Sequence, residues 1–384
     1  MIISRVILKN WRNFRTVDVR LGYRMFIIGP NASGKSNFLD VFRFLRDIVK
    51  RGGGLQKAIS DRGGISKIRC LAARRDPDIC VDIHFSDSVG GNNTWRYSIG
   101  IKQMPRGHRQ PIIAYEKVWQ GENLVLDRPQ QADKDDPLQR TQTHLEQINA
   151  NQKFRVIAQH LASVSYLHMI PQLLRFPDAF SGYDMPGDPF GGSLLDHIAS
   201  TTKRTREARL RKLEKALQAA VPQLKHLTHT KDEKGIPHLE ASYEHWRQHA
   251  AKQREDQFSD GTLRLIGLLW SLLESDSLLL LEEPELSLHS ELVAQVPSLL
   301  HRLQSKKKRQ VILSTHSADL LRDRGIAGEE VMLLEPSSEG TVARVVSDDR
   351  ELRNLLESGF TIAEAVLPKT APREAIQLSL SFLE

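Results

Sequence analysis

Gly29-Pro30-Asn31-Ala32-Ser33-Gly34-Lys35-Ser36 matches the pattern G-x-x-x-x-G-K-[ST] in full. An apolar run, Arg24-Met25-Phe26-Ile27-Ile28, precedes it, and Phe38, Leu39, Phe42 and Leu45 mark one face of a helix over Ser36–Val49 after it. Strand, glycine turn and helix are the setting in which such a stretch wraps phosphate. The glycines let backbone N–H groups converge on phosphate oxygens at a helix N-terminus. Lys35 reaches β and γ phosphates in such a loop, and the Ser36 hydroxyl suits Mg²⁺. A glycine turn that merely caps a helix is the alternative, and the flanking strand and helix together weigh against it.

Downstream, Ser277-Leu278-Leu279-Leu280-Leu281-Glu282-Glu283-Pro284-Glu285 is an apolar strand ending in carboxylates. Open α/β sheets present functional groups at strand C-termini. Glu282 there would hold the water shell of Mg²⁺, and Glu283 would orient the attacking water. Taken alone, Glu283 and Glu285 equally suit the acidic start of a helix. Another apolar strand, Val311–Ser314, leads into Thr315-His316-Ser317, where His316 is placed to sense a γ-phosphate; a histidine in that position also serves purely structural ends. Phe258-Ser259-Asp260-Gly261-Thr262 opens a helix: Ser259 and Asp260 are good caps, and Gly261 frees the backbone to approach a ligand. By itself this is an N-capped helix.

The remainder of the chain fits around these stretches. It has 384 residues, of which 40% are hydrophobic and 26% charged, as in a folded globular protein. No apolar run nears the roughly 20 residues of a membrane span, and no signal-peptide pattern opens the sequence. Cys70 and Cys80 are too few for a disulfide framework, so the reducing cytoplasm is the expected location. Net charge is +7, which brings nucleic acid into consideration without requiring it. Strands are predicted at Ile2–Leu8, Val17–Leu21, Val81–Phe85, Trp95–Ile101 and Ile112–Trp119, giving an antiparallel N-terminal sheet. Pro129–Gln142 reads as a polar loop, Thr143–Leu161 and Ser200–Ala220 as helices, Ser181–Gly192 as a Gly/Pro/Asp-rich loop, and His226–Tyr243 as a hairpin. From Gly261 onward helices and strands alternate, including a helix over Ser287–Leu303, as in a parallel sheet covered by helices. The divisions are 1–130 with the phosphate loop, 131–225 mainly helical, 226–348 with the Ser259 turn and the strands of Glu283 and His316, and a tail at 349–384.

The order of these four motifs resembles an ABC-type ATPase head, an α/β fold with a mixed or parallel core sheet, an N-terminal antiparallel sheet and a helical insert. The Ser-Asp-Gly-Thr turn, the Glu-Glu-Pro-Glu run and the opening Leu8-Lys9-Asn10-Trp11-Arg12-Asn13-Phe14-Arg15 are similar to the RecF-like and OLD-like branch (AAA15/AAA_21 ATPases). Tyr166–Arg175 and Gly191–Ile198 extend the likeness. The resemblance implies ATP and Mg²⁺ as cofactors and hydrolysis by Lys35, Glu283 and His316. It implies nucleotide contacts from Gly29, Asn31, Ala32, Ser33, Gly34, Lys35, Ser36 and Asn37, and a metal held by Ser36 and Glu282. It further implies a head-to-tail homodimer, open to further assembly, in which Ser259, Asp260 and Gly261 of one copy close over nucleotide held by the other. Glu282 stands where most ABC proteins carry aspartate, and His289 where transporters carry aspartate, which argues against a transporter. The 36 residues after Asp348 are too few for a TOPRIM nuclease domain, so a nuclease or other effector is expected as a separate chain. Antiviral defence with such an effector is the leading expectation; a RecF-like DNA-repair clamp and a slow, nucleotide-gated scaffold are the alternatives. Gln56 and Gln103 are candidates for the glutamine that faces the γ-phosphate; the adenine platform is unassigned, since Phe14 and Tyr23 suit the core equally well. Two basic stretches, Lys203–Lys215 and Lys306–Arg309, suit either solvent or a phosphate backbone.

Overall fold

A computed structural model of the chain describes residues 1–74, 76–104, 110–176, 190–244 and 251–371. The loop expected at Ser181–Gly192 therefore falls, up to residue 189, outside the described residues, as does the tail beyond 371.

Alternating burial along β1 (Ile2–Trp11) and β2 (Phe14–Arg20) puts Val6, Leu8, Val17 and Val19 inside, the period-two pattern of a half-covered strand. Fully buried β3 (Arg24–Ile28) leads through the glycine loop into α1 (Lys35–Val49), whose inward face carries Phe38, Leu39, Phe42 and Leu45. Short helices α2 (Leu55–Ser60) and α3 (Ile65–Ile68) return the chain to β4 (Ile79–Ser86), β5 (Asn93–Gln103), β6 (Pro111–Gln120) and β7 (Asn123–Arg128). These strands form a six-stranded antiparallel sheet in the order β2-β1-β4-β5-β6-β7.

Next come α4 (Gln131–Asp135), α5 (Arg155–Ala162), β8 (Ser165–Leu167), α6 (Pro171–Arg175), α7 (Leu194–Ser200) and α8 (Lys203–Leu217). Two expectations change here. Pro129–Gln142 is no open loop: α4 brings Asp133 onto the buried Arg128 guanidinium at 2.5 Å. The helix expected from Thr143 begins only at Arg155: turns stand at 144–151, where the N–H groups of His144 and Leu145 donate to the buried Glu116 carboxylate at 2.7 and 3.0 Å.

A three-stranded sheet, β9 (Leu224–Lys231), β10 (Pro237–Tyr243) and β11 (Ala251–Arg254), packs under α8. Then follow α9 (Asp260–Glu274), β12 (Leu279–Glu282), α10 (Ser290–Val293), α11 (Val296–Lys307), β13 (Val311–Ser314), α12 (Ala318–Leu321), β14 (Val331–Ser337), β15 (Gly340–Val345), α13 (Arg350–Glu357) and α14 (Ile362–Thr370). The single helix expected over Ser287–Leu303 is split: Ser287 has φ +60, and Pro297, in the first turn of α11, has no N–H to continue a ladder from α10. The core sheet runs β15-β14-β3-β13-β12-β8, parallel except for the β15 edge. One apolar cluster lies between α1, the antiparallel sheet and one face of the core sheet, and another covers the opposite face with α11, α13 and α14. A third fills the α7–α9 lobe around Trp270 and Phe258.

Candidate nucleotide site

Three neighbouring parallel strands, β3, β13 and β12, end together at one edge of the core sheet. Ser314 pairs with Ile27 on one side and Glu282 on the other. The Glu283 N–H donates to the Ser314 carbonyl at 3.1 Å, and the Thr315 N–H donates to that of Ile27 at 3.1 Å. The glycine loop, the acidic pair and His316 therefore converge because their strands lie side by side.

The loop itself takes a shape few residues tolerate. Gly34 has φ +100 and Ala32 φ +60. A Cβ on Gly29 would lie 2.7 Å from the Leu334 carbonyl of β14, so only glycine fits there. Gly34 is the N-cap of α1, which has no side-chain cap and no acidic residue in its first turn. The free N–H groups and the helix dipole leave that end suited to an anion. Asn13, at the β1–β2 turn, buttresses it: its Nδ2 donates to the Ser33 carbonyl (2.8 Å) and to Thr341 Oγ1 (2.7 Å), while its Oδ1 accepts from Asn37 Nδ2 (2.8 Å). Asn31 is exposed and Ser33 buried.

Lys35 is folded back onto the loop, its Nζ donating to the carbonyls of Gly29 and Pro30 at 3.0 Å each. Burial pushes its pKa down, and Glu283, Glu282 and Glu285 act in the opposite direction. Ser36 Oγ donates to Glu282 Oε1, and Tyr166 Oη of β8 donates to Oε2 of the same carboxylate. Arg43 of α1 stacks over the Tyr166 ring at 4.2 Å. Glu283 has φ +45, and its Oε1 lies 3.5 Å from His316 Nε2. Burial first, then Lys35, lowers the His316 pKa, while Glu283 acts in the opposite direction. Glu285 accepts from Thr315 Oγ1 (2.6 Å) and the His316 N–H (3.1 Å). Neither Glu283 nor Glu285 starts a helix, since α10 begins at Ser290.

Hydroxyl and carboxylate oxygens side by side at Ser36 and Glu282 form the hard donor set that Mg²⁺ prefers, so the residues present fit that ion. A groove of about 1160 Å³ opens beside the loop at Asn13 and Asn37 and runs past Arg15 to Lys67, Arg69 and Arg74.

Ser259 caps α9, its Oγ accepting from the Thr262 N–H at 3.2 Å. Asp260 pairs with Arg175 at 2.6 Å and accepts from Gln172 Nε2 at 3.4 Å. Gly261 packs so close to the 286–289 turn that a Cβ would sit 2.7 Å from the Ser287 carbonyl. Among the described residues, these side-chain bonds stay within their own lobe and none reaches residues 29–37.

Several candidates fall elsewhere. Gln56 is tied to the carbonyls of Pro111 (2.9 Å) and Thr141 (2.7 Å), and Gln103 ends β5 in the antiparallel sheet. Phe14 is fully buried against Phe38, and Tyr23 sits at the start of β3, opposite the loop. Neither offers a free aromatic face to a base at the loop. Of the basic stretches, Arg309 is buried on the carbonyls of Ser277 (2.7 Å) and Ser271, with burial lowering its pKa to about 10. In α8, Arg206 holds the carbonyls of Ala199 and Thr201, and Arg209 holds that of Glu274. Lys203, Arg204, Arg211, Lys212 and Lys215 remain exposed. Tyr166, Arg43 and Asn13 were not singled out as site residues by sequence; a three-residue strand such as β8 carries no periodicity to betray Tyr166.

This fold and motif arrangement define an ABC-type ATPase head. The chain belongs to the AAA_21 family, described as "AAA domain, putative AbiEii toxin, Type IV TA system", whose sequence profile matches residues 24–323. Endonuclease GajA of Bacillus cereus (strain VD045) is 39% identical over 67 residues, a stretch spanning 17% of this chain and 12% of that protein. A solved SMC head bound to the C-winged helix domain of ScpA aligns over 91% of this chain and 99% of its own, with 14% identity and a TM-score of 0.51. The SMC head domain of Thermotoga maritima aligns over 90% and 99%, with 14% identity and a TM-score of 0.45. Among the described residues no helix is long and apolar enough to cross a membrane.

Proposed function

We propose that the chain binds ATP with Mg²⁺ and hydrolyses it to ADP and phosphate in composite sites of a head-to-tail homodimer. The observation carrying this reading is the convergence of Lys35, Ser36, Glu282, Glu283 and His316 at the edge shared by β3, β13 and β12. The uncapped loop and α1 terminus take the β and γ phosphates, with Asn31–Asn37 as the contacting run, and Lys35 releases its two carbonyls to grip them. The nucleoside end extends into the groove beside Asn13 and Asn37. Ser36 and Glu282 would hold the metal, which supplies neutralising charge to the phosphate oxygens. Glu283 orients a water in line with the γ-phosphorus and takes its proton as the bond to the β–γ bridging oxygen breaks, and ADP leaves. His316 donates from Nε2 to a γ-phosphate oxygen. Ser259, Asp260 and Gly261, whose bonds lie within their own lobe, close over the partner copy's nucleotide, so ATP links two copies and hydrolysis releases them.

The biological reading is control of a separate effector, such as a nuclease, in antiviral defence in the cytoplasm; the short likeness to GajA supports it. The exposed cations of α8 favour a second reading, direct clamping of DNA, which ATP-dependent and salt-sensitive duplex binding would distinguish. Phosphate release and particle mass, with and without ATP, test the core proposal in wild type and Glu283→Gln. Losing a general base lowers turnover by about 10²–10⁴-fold, so the variant should accumulate as an ATP-bound dimer. A Glu283→Gln protein hydrolysing at the wild-type rate refutes the role of Glu283.

A further inference from the structure

Glu285 belongs to no step above, yet it joins the two loops that carry Glu283 and His316. Past Ser314 the β13 ladder ends: Thr315 still donates its N–H to Ile27, but the next N–H, that of His316, has no strand to pair with. It donates to Glu285 Oε1 at 3.1 Å, and Thr315 Oγ1 donates to the same oxygen at 2.6 Å. Thr315 Oγ1 also accepts the Ser317 N–H at 3.0 Å, so one carboxylate oxygen organises the whole 315–317 turn. Among the described residues the other oxygen, Oε2, is buried without a hydrogen-bond partner, a costly arrangement for a residue that only fills space. On the opposite side of the turn, His316 Nε2 meets Glu283 at 3.5 Å.

We propose that Glu285 is a positioning residue for hydrolysis: through Thr315 Oγ1 and the His316 N–H it sets the imidazole against Glu283. The inference rests on the ATPase reading of this site and assigns Glu285 no contact with substrate. What Glu285 supplies is an acceptor oxygen at a fixed place, so glutamine, which keeps that oxygen, serves where alanine does not.

The test is steady-state phosphate release by the full chain for wild type, Glu283→Gln, Glu285→Ala, Glu285→Gln and Thr315→Val, each normalised to the folded fraction by stoichiometric ATP binding. Misplacing a catalytic group by about an ångström costs up to about a hundredfold, so Glu285→Ala should lower kcat by about tenfold to a hundredfold with KM for ATP within about twofold. Glu285→Gln should recover most of that loss, and Thr315→Val should fall between. A residue acting only in stability would change the folded fraction and leave the kcat of what remains. Wild-type turnover with an undiminished kcat in Glu285→Ala overturns the role of Glu285 alone, as does an equal loss in the alanine and glutamine variants. Absence of turnover in the wild type itself overturns the ATPase reading and this inference with it.

Discussion

Asn13 and Gly34 should behave as one mechanical unit, and a double-mutant cycle can show it. A Cβ on Gly34 would lie 2.7 Å from Asn13 Cγ, at a backbone φ of +100. Gly34→Ala therefore incurs left-handed strain, about 2 kcal/mol, and also drives out the Asn13 side chain. Asn13 makes three hydrogen bonds, to Ser33, Thr341 and Asn37, worth about 1 kcal/mol each. Asn13→Ala alone should cost about 3 kcal/mol and Gly34→Ala about 5 kcal/mol. With Asn13 already truncated only the strain remains, so the double variant should cost about 5 kcal/mol, against about 8 for independent effects. The assay is urea denaturation of the nucleotide-free protein for all four members. Additivity of the two substitutions within about 0.5 kcal/mol would refute the steric coupling and the claim that Asn13 shapes the loop. ATP affinity should fall in the same order, further in Gly34→Ala than in Asn13→Ala.

Lys35→Ala should take ATP binding below detection in isothermal titration, because charge-assisted hydrogen bonds contribute about 1.5–3 kcal/mol each; an unchanged Kd would remove Lys35 from the phosphate site. Burial, with help from the N-terminal ammonium, lowers the His160 pKa from 6.5 to about 4. In the folded state His160 thus stays neutral while the unfolded chain takes up a proton below pH 6.5, so stability is full above that pH and falls as the pH drops towards 4. The loss attributable to His160 is about 2 kcal/mol between pH 7 and pH 5. His160→Phe, which keeps an aromatic ring against Phe85, should lack that component when the two denaturation curves are compared.

How much of this was readable in the sequence depends on range. The glycine loop is local: its glycines, Lys35 and the following amphipathic turn lie within one short stretch, so the motif can be read from spacing alone. The strands β3, β12 and β13 are short apolar runs with polar groups at their C-termini, which the sequence shows; their order in the sheet is a long-range property that the structure supplies. Long-range partners escape such reading. Glu116 looks like an ordinary strand residue, yet it captures Arg128 at 3.0 Å and the N–H groups of His144 and Leu145, in the turns that stand where periodicity predicts a helix from Thr143. Tyr166 meets Glu282 across the core sheet, 116 residues away in sequence. Asn13 reaches Thr341 over 328 residues. No window of sequence contains both ends of these contacts.

The acidic run shows why tertiary structure, and not composition, decides what a carboxylate does. Three glutamates within four positions take three separate tasks: Glu282 turns to Ser36 and Tyr166, Glu283 to His316, and Glu285 to the Thr315 turn. An extended strand would merely alternate them between two faces. The departure comes from Glu283, whose φ of +45 bends the chain immediately after the β12 ladder, with Pro284 next in line. Among the described residues the positive-φ positions other than glycine also include Ala32 in the phosphate loop and Ser287 beside Gly261. Backbone strain of about 1–3 kcal/mol per residue persists only where the surroundings enforce it, and such positions cluster where geometry serves function. At Glu283 the parallel ladders on both sides of β13 do the enforcing: its N–H is held by Ser314, and Thr315 by Ile27. The Glu283 strain is thus carried by the same hydrogen bonds that bring the three strand ends together, so the placement of its carboxylate and the rigidity of the sheet edge have one physical origin.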